Sequence, residues 1–381
     1  MPSPSSASTR RRPGASSSPS QRRSGPSSRP RSGTAGSSSH TSAGSRKATA
    51  SSSGSRPAVS EAPATLRARA RCRSLSPAAF RVLALLALVS LFLIVLSGTA
   101  VRLTGSGLGC ATWPRCSEGS LFPERDFHAI VEFTNRAVSI PVGFLALATA
   151  VGAWFVRGLP RRVAWTALVL LAVVLAEAWL GGVTIRSELD ALVVVTHFLL
   201  ALLAVALAVV VALSAHSLAR PRDADPFPTS LRRLALALVP VGFALVVTGT
   251  LVTAAGPHSG GEAVERIGNL EDAMYVHVRT AAVFGAGYVL LAAGLLRRRT
   301  AFRFEGALAL GVLAVLLAQM AVGETQWRTQ LPWPLVLVHV LLATAVWAGI
   351  VALAVRLRQR TGRKERPLVI HSSGFPRYRG T

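Results

Sequence analysis

Three histidines of this 381-residue chain lie inside long apolar stretches: His197, His277 and His339. An imidazole within hydrocarbon is costly, so it is either a polar bridge between helices or a functional group. Two imidazoles that face each other across a helix bundle suit bis-axial ligation of a heme iron, and His277 with His339 offers that pair. His197 has a different counterpart, the stretch Glu132-Phe133-Thr134-Asn135-Arg136. There Glu132, Asn135 and Arg136 share one helix face by their i, i+3 and i+4 spacing. A carboxylate opposite a histidine at equal depth makes a reactive pocket. The same Glu132 beside Arg136 also reads as a structural ion pair, and both readings stand. Arg279, two residues beyond His277, carries a charge suited to heme propionates.

The elements that position these groups follow from hydropathy. Half of the residues are apolar, only 15% are charged, and the mean hydropathy is +0.44. A water-soluble domain would carry about a quarter charged residues. Apolar runs of about 20 residues, the length a helix needs to cross the hydrocarbon layer, fall near 81–101, 129–155, 163–183, 191–214, 232–254, 273–296, 305–324 and 334–355. Barrel strands would instead give segments of about ten residues in strict alternation. The expected fold is an all-α integral membrane protein with eight transmembrane helices.

The net charge of +25 is concentrated at the two ends. Residues 1–75 hold 14 Lys/Arg against one acid, and residues 356–381 hold eight against one. No motif or aromatic interleaving accompanies them, so nucleic-acid recognition is not expected. Residues 1–78 read as a disordered Ser/Arg/Pro-rich tail, too poor in apolar side chains to fold, and residues 357–381 as a second basic tail. Arginines cluster in the loops after the second, fourth and sixth runs: Arg157, Arg161 and Arg162; Arg220, Arg222, Arg232 and Arg233; Arg297, Arg298, Arg299 and Arg303. In the alternate loops the arginines are matched by acids such as Glu118, Asp126, Glu188 and Glu265. The positive-inside rule then places both termini in the cytoplasm and loops 102–128 and 255–272 outside.

The chain repeats at half length. Residues 176–201 align without a gap on 318–343, bringing Gly181 onto Gly323, Arg186 onto Arg328, Leu189 onto Leu331 and His197 onto His339. Ser97-Gly98-Thr99 likewise resembles Thr248-Gly249-Thr250. Apolar letters coincide by chance between any two spans, but aligned Arg and His do not. Two pseudo-symmetric four-helix bundles are expected, 79–215 and 232–356, joined by a cytoplasmic linker at 216–231.

Six segments resemble the heme A synthase family over residues 80–355: SGTAVRLTGSGLGCATWPRC (97–116), VEFTNR (131–136), LGGVTIRSELDALVVVTHFLLA (180–201), VTGTLVTAAGPHSG (247–260), VHVR (276–279) and PLVLVHVLLA (334–343). The resemblance implies an enzyme that oxidises the C8 methyl of heme O to a formyl group, giving heme A for cytochrome c oxidase. It implies a heme b cofactor whose iron is ligated by His277 and His339 in the second bundle. It implies that the first bundle takes the substrate heme, with His197 as ligand, Asn135 and Arg136 beside it and Glu132 as the essential glutamate. Implied partners are heme O synthase, an electron acceptor and the lipid of a bacterial plasma membrane; a homo-oligomer is left open. One position departs. Many members carry His where this chain has Asn135, so His197 would hold the substrate alone or together with a water.

Of the three cysteines, Cys72 lies in the N-terminal tail. Cys110 and Cys116, with five residues between them in the first outer loop, read most simply as a disulfide on the oxidising side; a redox-active thiol pair, which the family's outer-loop cysteines also permit, is the alternative. A b-type electron-transfer cytochrome is the competing function, although it would normally show two complete histidine pairs.

Overall fold

A computed structural model describes residues 75–359 except 118, 121, 124, 219–226 and 258–265. The chain divides at Leu66–Arg67 into two units, and every described residue belongs to the second. Almost all of both expected tails, and half of the expected linker, lie outside the described residues.

Eight helices follow in order: α1 (Pro77–Leu103), α2 (Phe127–Phe155), α3 (Arg161–Arg186), α4 (Ala191–Leu218), α5 (Thr229–Ala255), α6 (Leu270–Leu296), α7 (Arg303–Arg328) and α8 (Trp333–Gln359). Each contains one of the expected apolar runs and extends past it at one end or both. Polar caps outside the apolar windows account for three of the starts. Ser76 Oγ accepts from Ala79 N–H with Pro77 opening α1, Asp126 caps α2, and Asn269 caps α6. Such side chains satisfy backbone donors that the first turn leaves unpaired.

All eight helices are long and apolar enough to cross a membrane. Large apolar side chains such as Phe144, Leu175 and Leu290 are mostly uncovered, the surface that hydrocarbon rather than water accommodates. The chain is a multi-pass membrane protein.

Neighbouring helices define who can face whom. Helix α1 packs on α2 and α4, and α3 packs on the same two, so α2 and α4 lie diagonally across the group. In the same way α5 and α7 each pack on α6 and α8. The two groups meet chiefly where α8 packs on α4 and α1. There Trp347 Nε1 donates to the Leu202 carbonyl at 2.9 Å, satisfying a polar group that would otherwise be stranded in an apolar contact. Helix α4 is the most enclosed of the eight and α8 the next.

Two turns have the same construction. After α3, Glu188 and Leu189 take left-handed backbone angles, φ 52° and 65°; after α7, Gln330 and Leu331 do so at 62° and 59°. Leu189 N–H returns to the Thr184 carbonyl, and Leu331 N–H to that of Gln326. Non-glycine residues adopt this conformation only when their surroundings require it. These turns set the start of α4 and α8, and therefore the register of His197 and His339.

Candidate functional site

His277 on α6 and His339 on α8 stand on diagonal helices. His277 Nδ1 is 3.1 Å from the Thr248 hydroxyl of α5, which also donates to the Leu245 carbonyl. His339 Nε2 is 2.9 Å from Gln319 Nε2 of α7, while its Nδ1 is buried with no hydrogen-bond partner. Each imidazole is thus held at one nitrogen by a neighbouring helix. Glycines make room for both rings. A Cβ built on Gly249 would lie 2.9 Å from His277 Cε1, and one on Gly323 would lie 3.0 Å from His339 Cε1. Any larger residue would push on a ring that has little freedom to move.

The first four helices present a variant of this arrangement. His197 on α4 lies beside Gly181 of α3, whose built Cβ would approach Cε1 at 3.6 Å. Its Nδ1 is 2.9 Å from Oε2 of Glu177, also on α3. The contact is close but not aligned as a straight hydrogen bond, and Glu177 Oε1 is buried without a partner. The glutamate that meets His197 is therefore Glu177, not Glu132. On the diagonal helix α2, Asn135 Oδ1 accepts from Ser97 Oγ at 2.7 Å and lies next to Gly98.

Glu132 faces the loop that precedes α2. It is 4% exposed; Oε2 accepts from Cys110 N–H at 2.8 Å and Oε1 pairs with the Arg136 guanidinium. Arg136 Nη1 in turn donates to the carbonyls of Thr112 and Arg115 at 2.8 and 2.9 Å. A disulfide joins Cys110 to Cys116. The ion pair and the disulfide together fold this loop down onto α2, where Gly109 meets the His128–Ala129 backbone so closely that a Cβ would sit 2.4 Å from the His128 carbonyl. Trp113, at the tip of the loop, lies against Gly182 of α3.

Residues 81–351 match the family described as "Cytochrome oxidase assembly protein". A protein of Symbiobacterium thermophilum described as heme A synthase is 30% identical over 301 residues, covering 75% of this chain and 97% of its own length. The chain belongs to the heme A synthase family. The heme A synthases of Bacillus licheniformis and Lysinibacillus sphaericus are 31% and 30% identical over 129 and 173 residues, 34% and 44% of this chain. In those two alignments the chain spans 42% and 56% of the relative's length, about half.

In this heme A synthase family chain, Arg279 stands apart from His277. It is exposed and stacks over the Tyr275 ring with its guanidinium carbon 3.2 Å from the centroid. Two residues along a helix turn a side chain to nearly the opposite side. Glu177 and Gln319 are the residues that the sequence reading passed over. The alignment that brings His197 onto His339 also brings Glu177 onto Gln319. A polar pair at matching positions of two apolar spans was the available signal.

Proposed function

We propose that this chain is a heme A synthase that oxidises the C8 methyl of heme O, through the alcohol, to the formyl group of heme A for cytochrome c oxidase. It works in the plasma membrane of a bacterium, with both termini and the α2–α3, α4–α5 and α6–α7 loops cytoplasmic. The helices form two pseudo-symmetric bundles, α1–α4 for substrate and α5–α8 for a resident heme b. Heme O synthase supplies the substrate, water supplies the oxygen atom of the formyl group, and an electron acceptor takes the four electrons that leave with four protons.

The observation that carries the proposal is the asymmetry between the diagonal pairs: His277 with His339 on one side, Asn135 with His197 on the other. The side chains fit a heme in the α5–α8 group. Each imidazole is fixed through one nitrogen, and each lies in a cradle kept open by a glycine. No three His, Cys, Asp or Glu side chains converge among the described residues. A heme iron brings four ligands with it as porphyrin nitrogens, so two histidines suffice to complete its set. His277 and His339 would hold heme b, which when bound supplies one-electron transfer beside the substrate.

The chain's own residues give the rest. A single histidine facing an asparagine binds a heme more loosely than two histidines do, which suits a substrate that must leave after oxidation. His197, with 36% of its side chain uncovered, orients the heme O iron. Glu132 provides negative charge near the methyl as it loses electrons, and Arg136 keeps that charge in place. A proton released there goes to Oε2, the oxygen that now accepts from Cys110 N–H. The disulfide loop lies over Glu132 and leaves it 4% exposed. Arg279, exposed beside Tyr275, is assigned no heme contact.

Expression with heme O synthase in a host lacking its own heme A synthase, followed by pigment extraction, tests the function. Heme b with heme A is the expected result. Heme b alone would point to an electron-transfer cytochrome and overturn the proposal.

A further inference from the structure

We infer that Glu177 is the positioning residue for His197, and that its charge distinguishes the substrate-heme histidine from the cofactor-heme histidine. The inference rests on the reading of His197 as the substrate ligand.

Glu177 and Gly181 stand one helical turn apart on α3, and both touch the His197 ring: Glu177 Oε2 at Nδ1, Gly181 beside Cε1 and Nε2. Gln319 and Gly323 repeat this arrangement on α7 around His339. The pairs differ in the nitrogen that is held, Nδ1 on His197 and Nε2 on His339, and in the group that holds it. A carboxylate only accepts hydrogen bonds, whereas a carboxamide can donate one. Opposite Glu177, Nδ1 must therefore carry the ring hydrogen, which leaves the Nε2 lone pair for iron. That nitrogen stays open on the α3 side, where even a Cβ on Gly181 would stand 3.8 Å away. Opposite Gln319, the neutral amide meets His339 at Nε2 and brings no charge.

A carboxylate in a membrane helix is expensive unless it is paired, and Glu177 is paired with nothing but this imidazole among the contacts described. Its side chain is 15% exposed. Holding the far nitrogen of a ligating histidine by a carboxylate fixes ring orientation and raises ligand basicity. A more basic ligand favours ferric over ferrous iron, so the substrate heme takes a lower potential than a carboxamide at position 177 would give it. The unaligned Nδ1–Oε2 contact straightens with a small ring rotation when Nε2 takes up a ligand.

The test uses the full chain purified with its heme b and titrated with heme O, together with Glu177→Gln, Gln319→Glu and His197→Ala. The heme b band reports folding in each variant. Glu177→Gln is expected to keep that band and to weaken heme O binding about 10- to 100-fold. It should also shift the iron–histidine stretching band of ferrous heme O to lower frequency and raise the midpoint potential. Gln319→Glu should lower the midpoint potential of heme b. If Glu177→Gln matches the unsubstituted protein in affinity, frequency and potential while His197→Ala loses heme O, the positioning role is overturned and the substrate site survives. If Gln319→Glu leaves the heme b potential unchanged, the charge argument fails. If His197→Ala binds heme O normally, the substrate site itself is misassigned and the role of Glu177 falls with it.

Discussion

Asn135 on α2 is held as His277 on α6 is held. Ser97 Oγ lies 2.7 Å from Asn135 Oδ1 and Thr248 Oγ1 lies 3.1 Å from His277 Nδ1. In each case the hydroxyl also donates to the carbonyl three residues before it, and the next residue is the glycine that touches the held side chain. Asn135 therefore sits among α1–α4 in the same kind of seat that His277 occupies among α5–α8 and fills it with an amide. Asn135→His should place an imidazole in that seat, bonded to Ser97, and add a second axial ligand to the substrate heme. Optical spectra of the heme O complex should turn low-spin, with slower release of product. A high-spin spectrum identical to that of the parent would contradict this reading.

Glu132→Gln keeps the shape of the side chain and its capacity to accept from Cys110 N–H, but removes the charge facing Arg136. Protein yield and heme b should persist while heme A formation falls at least 100-fold, measured by pigment extraction. Arg136→Ala is the harsher change. It strips a buried carboxylate of its partner, a loss of about 3–5 kcal/mol, and it frees the carbonyls of Thr112 and Arg115, so yield as well as activity should drop.

Replacing Cys110 and Cys116 together by Ser should lower stability by about 2 kcal/mol, the expected loss for so short a closed loop. Glu132 still reaches residue 110 through backbone, so partial activity should remain. Thermal unfolding and heme A yield, measured side by side, check this. Complete inactivity with unchanged melting would instead assign the thiols a redox role.

Gly249→Ala places a methyl 2.9 Å from the His277 ring. Overpacking of this kind costs about 1–3 kcal/mol, so heme b occupancy should fall several-fold. Gly285→Ala on α6, where a methyl meets nothing within 4 Å, serves as the control and should leave the heme b band intact.

The helices were legible because about 20 uncharged residues have few other stable arrangements in a chain this apolar. Their ends were less so, since Ser76, Asp126 and Asn269 act as caps from outside the apolar windows. His197, His277 and His339 could be found because a polar ring is conspicuous among Leu and Val. Glu177 was harder to read. A single acid in an apolar span says nothing about which neighbouring helix it faces until packing puts α3 beside α4. The contact between Glu132 and Cys110 was hidden for a related reason: the path of a loop follows no periodicity. For Arg279 the information was present, since the helical repeat itself turns position 279 away from 277.

The account depends most on the assignment of heme b to the α5–α8 group and of substrate to α1–α4. The optical spectrum and heme A yield of His277→Ala, His339→Ala and His197→Ala, purified in parallel, test that assignment most directly. Loss of the heme b band in the first two, and its retention in the third together with abolished heme A formation, is the predicted result. A His197→Ala protein stripped of heme b beside a His339→Ala protein that keeps it would contradict the assignment.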